Sequence, residues 1–242
     1  MNRVIVITGG TSGIGRYLTE KFSETDYVYV LSKTKDKIKI VEKEIGRDNI
    51  VFIKCDVTID KERADAFDMI NNRHNHIDVL INNAAYDYMS KIENYSYSEF
   101  DKIVKTNLIG KAFCSKYAIP LLKKSRYPSI INIASRLATK PMSDSVAYCC
   151  SAAAIVMLTK CLALELEKYS IRVNCVSPSL TLTPLALKSY TKREIDEVKE
   201  KSTRKRLCEP QDIYNLISFL ISESSDYING ENIGINGGSL LK

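Results

Sequence analysis

The run Val4-Ile5-Val6-Ile7-Thr8-Gly9-Gly10-Thr11-Ser12-Gly13-Ile14-Gly15 decides the fold. Four β-branched residues in succession read as a strand covered on both faces. The glycines that follow permit a tight turn and let backbone N–H groups come close to a pyrophosphate. The amphipathic segment over 13–22 then aims a helix N-terminus at the same anion. A glycine pattern alone is weak evidence. Between a first strand and its helix it is a dinucleotide signature, although the spacing here is T-G-x-x-x-G-x-G and not G-x-G-x-x-G.

The same alternation continues outward from this unit. Strands are expected over 27–31, 49–53, 77–81, 129–133, 171–176 and 231–235. Helices are expected over 34–45, 61–70, 98–122, 146–169 and 210–222, with Pro120 near the end of the longest. Strict β-α alternation predicts an α/β fold: a single doubly wound, Rossmann-like domain over 1–242 with a parallel sheet. The polar stretch over 185–208 breaks the pattern and reads as either a substrate lid or a surface helix pair.

Composition narrows the function. The chain has 242 residues, 45% apolar and 26% charged, which excludes disordered and disulfide-scaffold classes. No run approaches the roughly 20 apolar residues of a membrane span, and no signal peptide is visible. Lys and Arg number 35 against 29 Asp and Glu, a net charge of +6. The basic cluster at Arg204-Lys205-Arg206 has no stacking aromatics beside it, so a nucleic-acid partner is not expected. Seven cysteines without a C-x-x-C pair read as reduced thiols of a cytoplasmic protein. No metal site is expected, because the only histidines, His74 and His76, sit in a polar stretch read as a solvated turn.

Further motifs stand in order behind the glycine loop. They are Asp56 after the third strand, Asn82-Asn83-Ala84-Ala85 after the fourth, and Asn107 in the long helix. Ser135 follows the fifth strand, Tyr148 lies 13 residues later, Pro178 follows the sixth strand, and Asn236-Gly237-Gly238 stands near the C-terminus. On these motifs the sequence resembles the short-chain dehydrogenase/reductase family, and within it the 3-oxoacyl-carrier-protein reductases, over essentially its whole length. The resemblance implies a seven-stranded parallel sheet, a nicotinamide cofactor, a small carbonyl or alcohol substrate, and a homotetramer or homodimer. Long helices over 98–122 and 146–169, the second apolar on more than one face, fit such an assembly.

By that resemblance Gly9, Thr11, Ser12, Gly13, Ile14 and Gly15 surround the cofactor's pyrophosphate. Asp56 and Val57 meet the adenine, Asn83 and Ala84 line the ribose side, and Pro178, Thr181 and Thr183 hold the carboxamide and upper phosphates. An acidic residue ending the second strand would bind the adenosine ribose and repel a 2′-phosphate. This chain has Ser32 and then Lys33 there, which favours NADP(H) over NAD(H).

The resemblance also assigns Ser135 to the substrate oxygen, Tyr148 to proton transfer, and Asn107 to a water of the proton relay. A lysine four residues after the tyrosine should lower the phenol's pKa and hold the nicotinamide ribose. That position is Ala152. Impaired turnover is therefore the leading expectation. The alternatives are a non-catalytic nucleotide-binding regulator, or chemistry that takes its cation from elsewhere, such as Arg136 or Lys140. Ala85 and Ser179 stand where the family usually has glycine. Tyr86, Asp87, Tyr88, Arg136, Leu137, Met142, Leu185 and Tyr190 are candidate substrate walls. With Lys140 and Lys188, they suit a hydroxylated or anionic substrate.

Overall fold

The computed structural model describes residues 2–241, with the backbone alone at Lys188. In β1 (Val4–Thr8), Val4 and Val6 enter one core while Ile5 and Ile7 enter the other. Successive strand side chains point to opposite faces, so a continuous apolar run fits only a sheet covered on both sides. The remaining strands are β2 (Tyr27–Ser32), β3 (Ile50–Lys54), β4 (Val79–Asn82), β5 (Ser129–Ile133), β6 (Arg172–Pro178) and β7 (Asn232–Ile235). All seven are parallel, in the order β3-β2-β1-β4-β5-β6-β7.

The helices are α1 (Gly13–Phe22), α2 (Lys35–Ile45), α3 (Asp60–His74), α4 (Tyr97–Val104), α5 (Gly110–Leu122), α6 (Val146–Glu165), α7 (Ala186–Ser189), α8 (Lys192–Lys201) and α9 (Pro210–Leu220). Phe67, Ile70, Cys114, Leu121 and Ala163 of α3, α5 and α6 pack against Val4, Val6, Leu80 and Val173. On the other face, Leu18 and Phe22 of α1 and Ile213 and Ile217 of α9 pack against Ile5, Ile7, Val28 and Ile81. Each fully buried Val, Leu, Ile or Phe side chain among them contributes about 1.5–3 kcal/mol of transfer free energy. Strand order reverses beside β1, which pairs with β2 on one edge and β4 on the other. A doubly wound sheet opens its binding crevice at that point, outside the carboxyl ends of the strands.

Four local expectations are corrected. The helix expected over 98–122 is interrupted by a wide π turn, Lys105–Ile109, between α4 and α5. The helix expected over 146–169 ends at Glu165, followed by a separate 3-10 turn at Glu167–Tyr169. His74 is no solvated turn residue, because α3 runs through it. Its ring lies 4.4 Å from that of Tyr27, and its Nδ1 lies 2.6 Å from the Tyr29 hydroxyl. Aromatic packing thus carries the helix past Asn71-Asn72 to a left-handed cap at Asn75. Finally, α6 is long and apolar enough to cross a membrane by length and composition. In the structure its Ala152, Ile155, Thr159 and Ala163 face is buried, whereas Met157 and Leu164 stay exposed.

The segment over 185–208 contains α7 and α8. A reciprocal cap between Thr191 and Glu194 starts α8, which has no buried residue. An isolated bridge between Thr181 and Cys208 ties the two ends of this excursion to each other.

Candidate active site

A cleft of about 360 Å3 runs along the carboxyl ends of the strands, from the loop after β1 to the start of α6. Gly9 (φ 70°) and Gly13 (φ 54°) adopt left-handed conformations that a side chain would strain. They carry the chain round the turn that leaves the N-terminus of α1 facing the cleft. Gly15 does not face it. A Cβ there would overlap the Asn83 amide and the Gly9 carbonyl, so Gly15 serves the packing beneath the loop. The Asn83 side chain in turn donates to the Thr8 carbonyl at 3.0 Å, while the Thr8 hydroxyl accepts from the Asn83 and Ala84 N–H groups at 3.0 Å. The loop is therefore held open by the end of β4.

The other cofactor candidates, Thr11, Ser12, Ile14, Ser32, Lys33, Asp56, Val57, Asn83, Ala84, Pro178, Thr181 and Thr183, all line this cleft. Ser32 is buried, its hydroxyl 2.8 Å from that of Thr11. Asp56 folds back to accept from the Thr58 N–H and hydroxyl at 2.9 and 2.8 Å. Thr34 and Lys37 join Lys33 at the same end. Lys37, in the first turn of α2, is a second cation beside Lys33 that the sequence reading missed. A glycine-floored cradle with a helix N-terminus at one side and two cations at the far end fits a dinucleotide phosphate chain.

Ser135, Tyr148, Asn107 and Ala152 lie at the opposite end of the cleft. The Ser135 hydroxyl accepts from the Leu137 N–H at 3.2 Å, which caps the turn Arg136–Ala138. Burial of the Tyr148 phenol pushes its pKa well above the usual tyrosine value. The nearby Asp87 carboxylate pushes the same way, and hydrogen bonding with Ser135 offsets part of the rise. Tyr148 therefore holds its proton at neutral pH.

The π turn aims Asn107 at the loop after β4. Its Oδ1 accepts from the Tyr86 N–H at 2.8 Å, and its Nδ2 donates to the Tyr86 carbonyl at 3.0 Å and to the Ser151 hydroxyl at 3.2 Å. The amide thus clasps that loop to α6, and π turns are frequent at such sites.

Among the substrate-wall candidates, Asp87, Arg136, Leu137, Leu185 and Tyr190 line the cleft, whereas Tyr86, Tyr88 and Met142 do not. The Tyr86 hydroxyl donates to Glu99 at 2.8 Å, and the Tyr88 ring packs edge-on against Tyr95. The side chain of Lys188 lies outside the described residues. Asp87 is largely desolvated, which raises its pKa, and its Oδ1 has no hydrogen-bond partner among the described residues. Hydrogen bonds with Ser189 and the Tyr88 backbone offset part of that rise, and the remaining oxygen is open to a donor from whatever fills the cleft.

The sequence reading also passed over Lys111. It lines the cleft from α5, is 2% exposed, and donates to the Asn82 carbonyl at 2.6 Å. Burial pulls its pKa down to about 7.

Comparison with known proteins agrees with this geometry. Residues 9–239 match the family profile described as enoyl-(acyl carrier protein) reductase. The NAD-dependent glycerol dehydrogenase of Listeria innocua is 31% identical over 241 residues, spanning 100% of this chain and 95% of that enzyme. The L-fucose dehydrogenase of Bos taurus is 30% identical over 246 residues, spanning 99% and 90%. The 3-ketoacyl-(acyl-carrier-protein) reductase of Brucella melitensis complexed with NADH superposes with a TM-score of 0.91 at 27% identity, covering 98% of each chain. ElxO with NADP bound superposes with a TM-score of 0.92 at 28% identity, covering 100% of each. Sheet order, phosphate loop and sequence match coincide over nearly the full length, and the chain belongs to the short-chain dehydrogenase/reductase family of oxidoreductases.

Proposed function

We propose that this chain is an NADP(H)-preferring oxidoreductase that interconverts a hydroxylated ketone or aldehyde with its alcohol. The observation that carries the reading is one cleft that joins the glycine loop to Ser135 and Tyr148. The nicotinamide, when bound, supplies or takes up the hydride. Ser135 orients the substrate oxygen, and Tyr148, protonated at neutral pH, gives that oxygen its proton. Ser32, Lys33 and Lys37 would receive a 2′-phosphate, with no acidic residue ending β2 to repel it. Asp87, with an oxygen lacking a donor, suits a substrate hydroxyl. The glycerol, 2,3-butanediol and L-fucose dehydrogenases among the relatives are named for hydroxylated substrates. The 185–208 excursion, which places Leu185, Ala186 and Tyr190 on the cleft, would cover the substrate. Residues 1–242 would then act as one domain.

Ala152 favours a second reading, in which turnover is impaired or the chain only binds nucleotide as a regulator. A carbonyl panel followed by NADPH and NADH oxidation tests both. Hydroxyketones and hydroxyaldehydes should react ahead of simple ketones, with NADPH ahead of NADH. Lys33→Ala with Lys37→Ala should weaken NADPH by about tenfold, or 1.4 kcal/mol, without moving NADH. Equal loss for both cofactors would defeat the 2′-phosphate assignment. NADPH binding without turnover of any carbonyl would favour the regulator.

The exposed Phe113 of α5 and the exposed Met157 and Leu164 of α6 would be covered in a homodimer or homotetramer. Light scattering at micromolar concentration should return two or four times the 27.3 kDa chain mass. A monomer would contradict that assembly.

A further inference from the structure

We infer that Asp87 and Arg136 make the substrate end of this cleft a receptor for a zwitterion, and that the alcohol turned over there is a β-hydroxy-α-amino acid. The inference rests on the oxidoreductase reading above and names its substrate class. Its first support is placement. Asp87, from the loop after β4, and Arg136, directly behind Ser135, both line the cleft with Tyr148 and Tyr190. The Tyr190 phenol feels both charges. Burial raises its pKa, the Arg136 guanidinium pulls it down, and the Asp87 carboxylate pushes it up. Asp87 and Tyr190 act in turn on Tyr148. Two opposite charges therefore stand around one phenol, beside the group that moves the proton. The 185–208 excursion reaches the same place, because Ser189 at the end of α7 hydrogen-bonds with Asp87 and Tyr190 follows it.

The second support is chemical. The two charges do not answer each other: neither forms an ion pair among the described residues. The Asp87 carboxylate keeps one buried oxygen without a donor. The Arg136 guanidinium, with five donors, meets no hydrogen-bond acceptor among the described residues. A substrate hydroxyl would satisfy the open oxygen but leave the desolvated charge uncompensated. An ammonium does both. A simple hydroxy acid would satisfy Arg136 but bring a second anion toward Asp87. An α-amino acid carries both charges on one carbon, answers both residues, and adds no net charge to the site. With those charges held, the hydroxyl on the neighbouring carbon is the group left for Ser135 and Tyr148.

The balance closes. The carbinol carbon gives its hydride to the oxidised nicotinamide, and the hydroxyl gives its proton to the Tyr148 phenolate. The C–O single bond becomes a carbonyl, and the product is a 2-amino-3-oxo acid. Tyr148 passes its proton to water before the next cycle.

Three proteins test this: the natural chain, Asp87→Asn and Arg136→Gln. NADP+ reduction is read with each stereoisomer of threonine, with the neutral 2,3-butanediol and with the anionic 3-hydroxybutyrate. One threonine isomer should exceed the diol and the hydroxy acid in kcat/KM by at least about tenfold. Each substitution should lower the ratio of kcat/KM for that isomer to kcat/KM for the diol by at least about tenfold, the size of one charge-assisted hydrogen bond. A general loss of folded protein would leave that ratio where it was. A natural chain that prefers the diol or the hydroxy acid, or a ratio unmoved in either variant, overturns the inference.

A second measurement needs no turnover. 2-Aminobutyrate carries both charges and no hydroxyl. On the NADP+-saturated chain, calorimetry should find it bound at least about tenfold more tightly than butyrate or propylamine, which carry one charge each. Asp87→Asn should remove its advantage over butyrate, and Arg136→Gln its advantage over propylamine. Binding no tighter than that of either single ion overturns the inference, whether or not any alcohol reacts. If the chain oxidises 2,3-butanediol and no threonine isomer, the oxidoreductase reading stands and the inference alone falls. If it binds neither NADP+ nor NADPH, that reading fails first, and the inference falls with it.

Discussion

Tyr148→Phe should lower kcat for carbonyl reduction by about 10²–10⁴-fold, the range for removing a positioned general acid. NADPH affinity should hold, because the substitution removes one oxygen and leaves the ring in place. The site gives this loss a direction as well as a size. Burial and the Asp87 carboxylate raise the Tyr148 pKa, so at neutral pH the group is a phenol able to donate. Reduction uses that form. Alcohol oxidation needs the phenolate, which is scarce at pH 7. Oxidation by the natural chain should therefore climb with pH through 9, while reduction stays level or falls. Steady-state rates in both directions from pH 6 to 9, with fluorescence titration of NADPH, check both parts. A Tyr148→Phe protein with more than about a tenth of natural kcat would remove Tyr148 from proton transfer and return the phenol to a packing role.

The parts legible in the sequence are those written locally. The glycine loop declares itself because a tight turn, a close backbone approach and a helix start must follow within a few residues. The strands declare themselves because a two-sided sheet tolerates no polar alternation. Ser135, just after β5, and Tyr148, in the first turn of α6, stand out in the sequence only through the family resemblance. What stayed hidden depends on contacts between distant segments. The π turn at Lys105–Ile109 leaves no compositional mark, since it exists to bring Asn107 to the backbone of Tyr86. His74 was misread because a polar neighbourhood resembles a turn until Tyr27 and Tyr29 are folded beside it. Lys111 did carry a signal. It shares one helical stripe with Cys114, Ser115, Ala118 and Leu122, all buried, and a lysine on such a stripe is anomalous.

The other large effect concerns stability and has the opposite sign from the loss of activity. Lys111→Met should make the protein more stable at pH 6.5. A lysine pKa moved from 10.5 to about 7 by burial corresponds to about 5 kcal/mol of unfavourable charge burial at full protonation. Leaving the Asn82 carbonyl without its donor offsets about 1–3 kcal/mol of this. The net gain is then about 2–4 kcal/mol, which for a chain of this size raises Tm by roughly 5–10 °C.

The pH dependence separates this cause from ordinary repacking. Below about pH 7 folded and unfolded chains both carry the proton, and the full cost is present. Between about 7 and 10.5 the unfolded chain binds more protons, so the stability of the natural protein rises with pH. The variant lacks that rise, so the gap between the two proteins should narrow by about 2 kcal/mol from pH 6.5 to 8.5. The buried thiols of Cys55, Cys114 and Cys175 titrate above that window and are common to both proteins. Denaturant unfolding at four pH values supplies the comparison. A variant less stable than the natural chain at pH 6.5, or a gap that does not change with pH, would mean that the ammonium is well compensated in the fold. A cost of this size is what burying an ammonium against a single carbonyl takes from the fold.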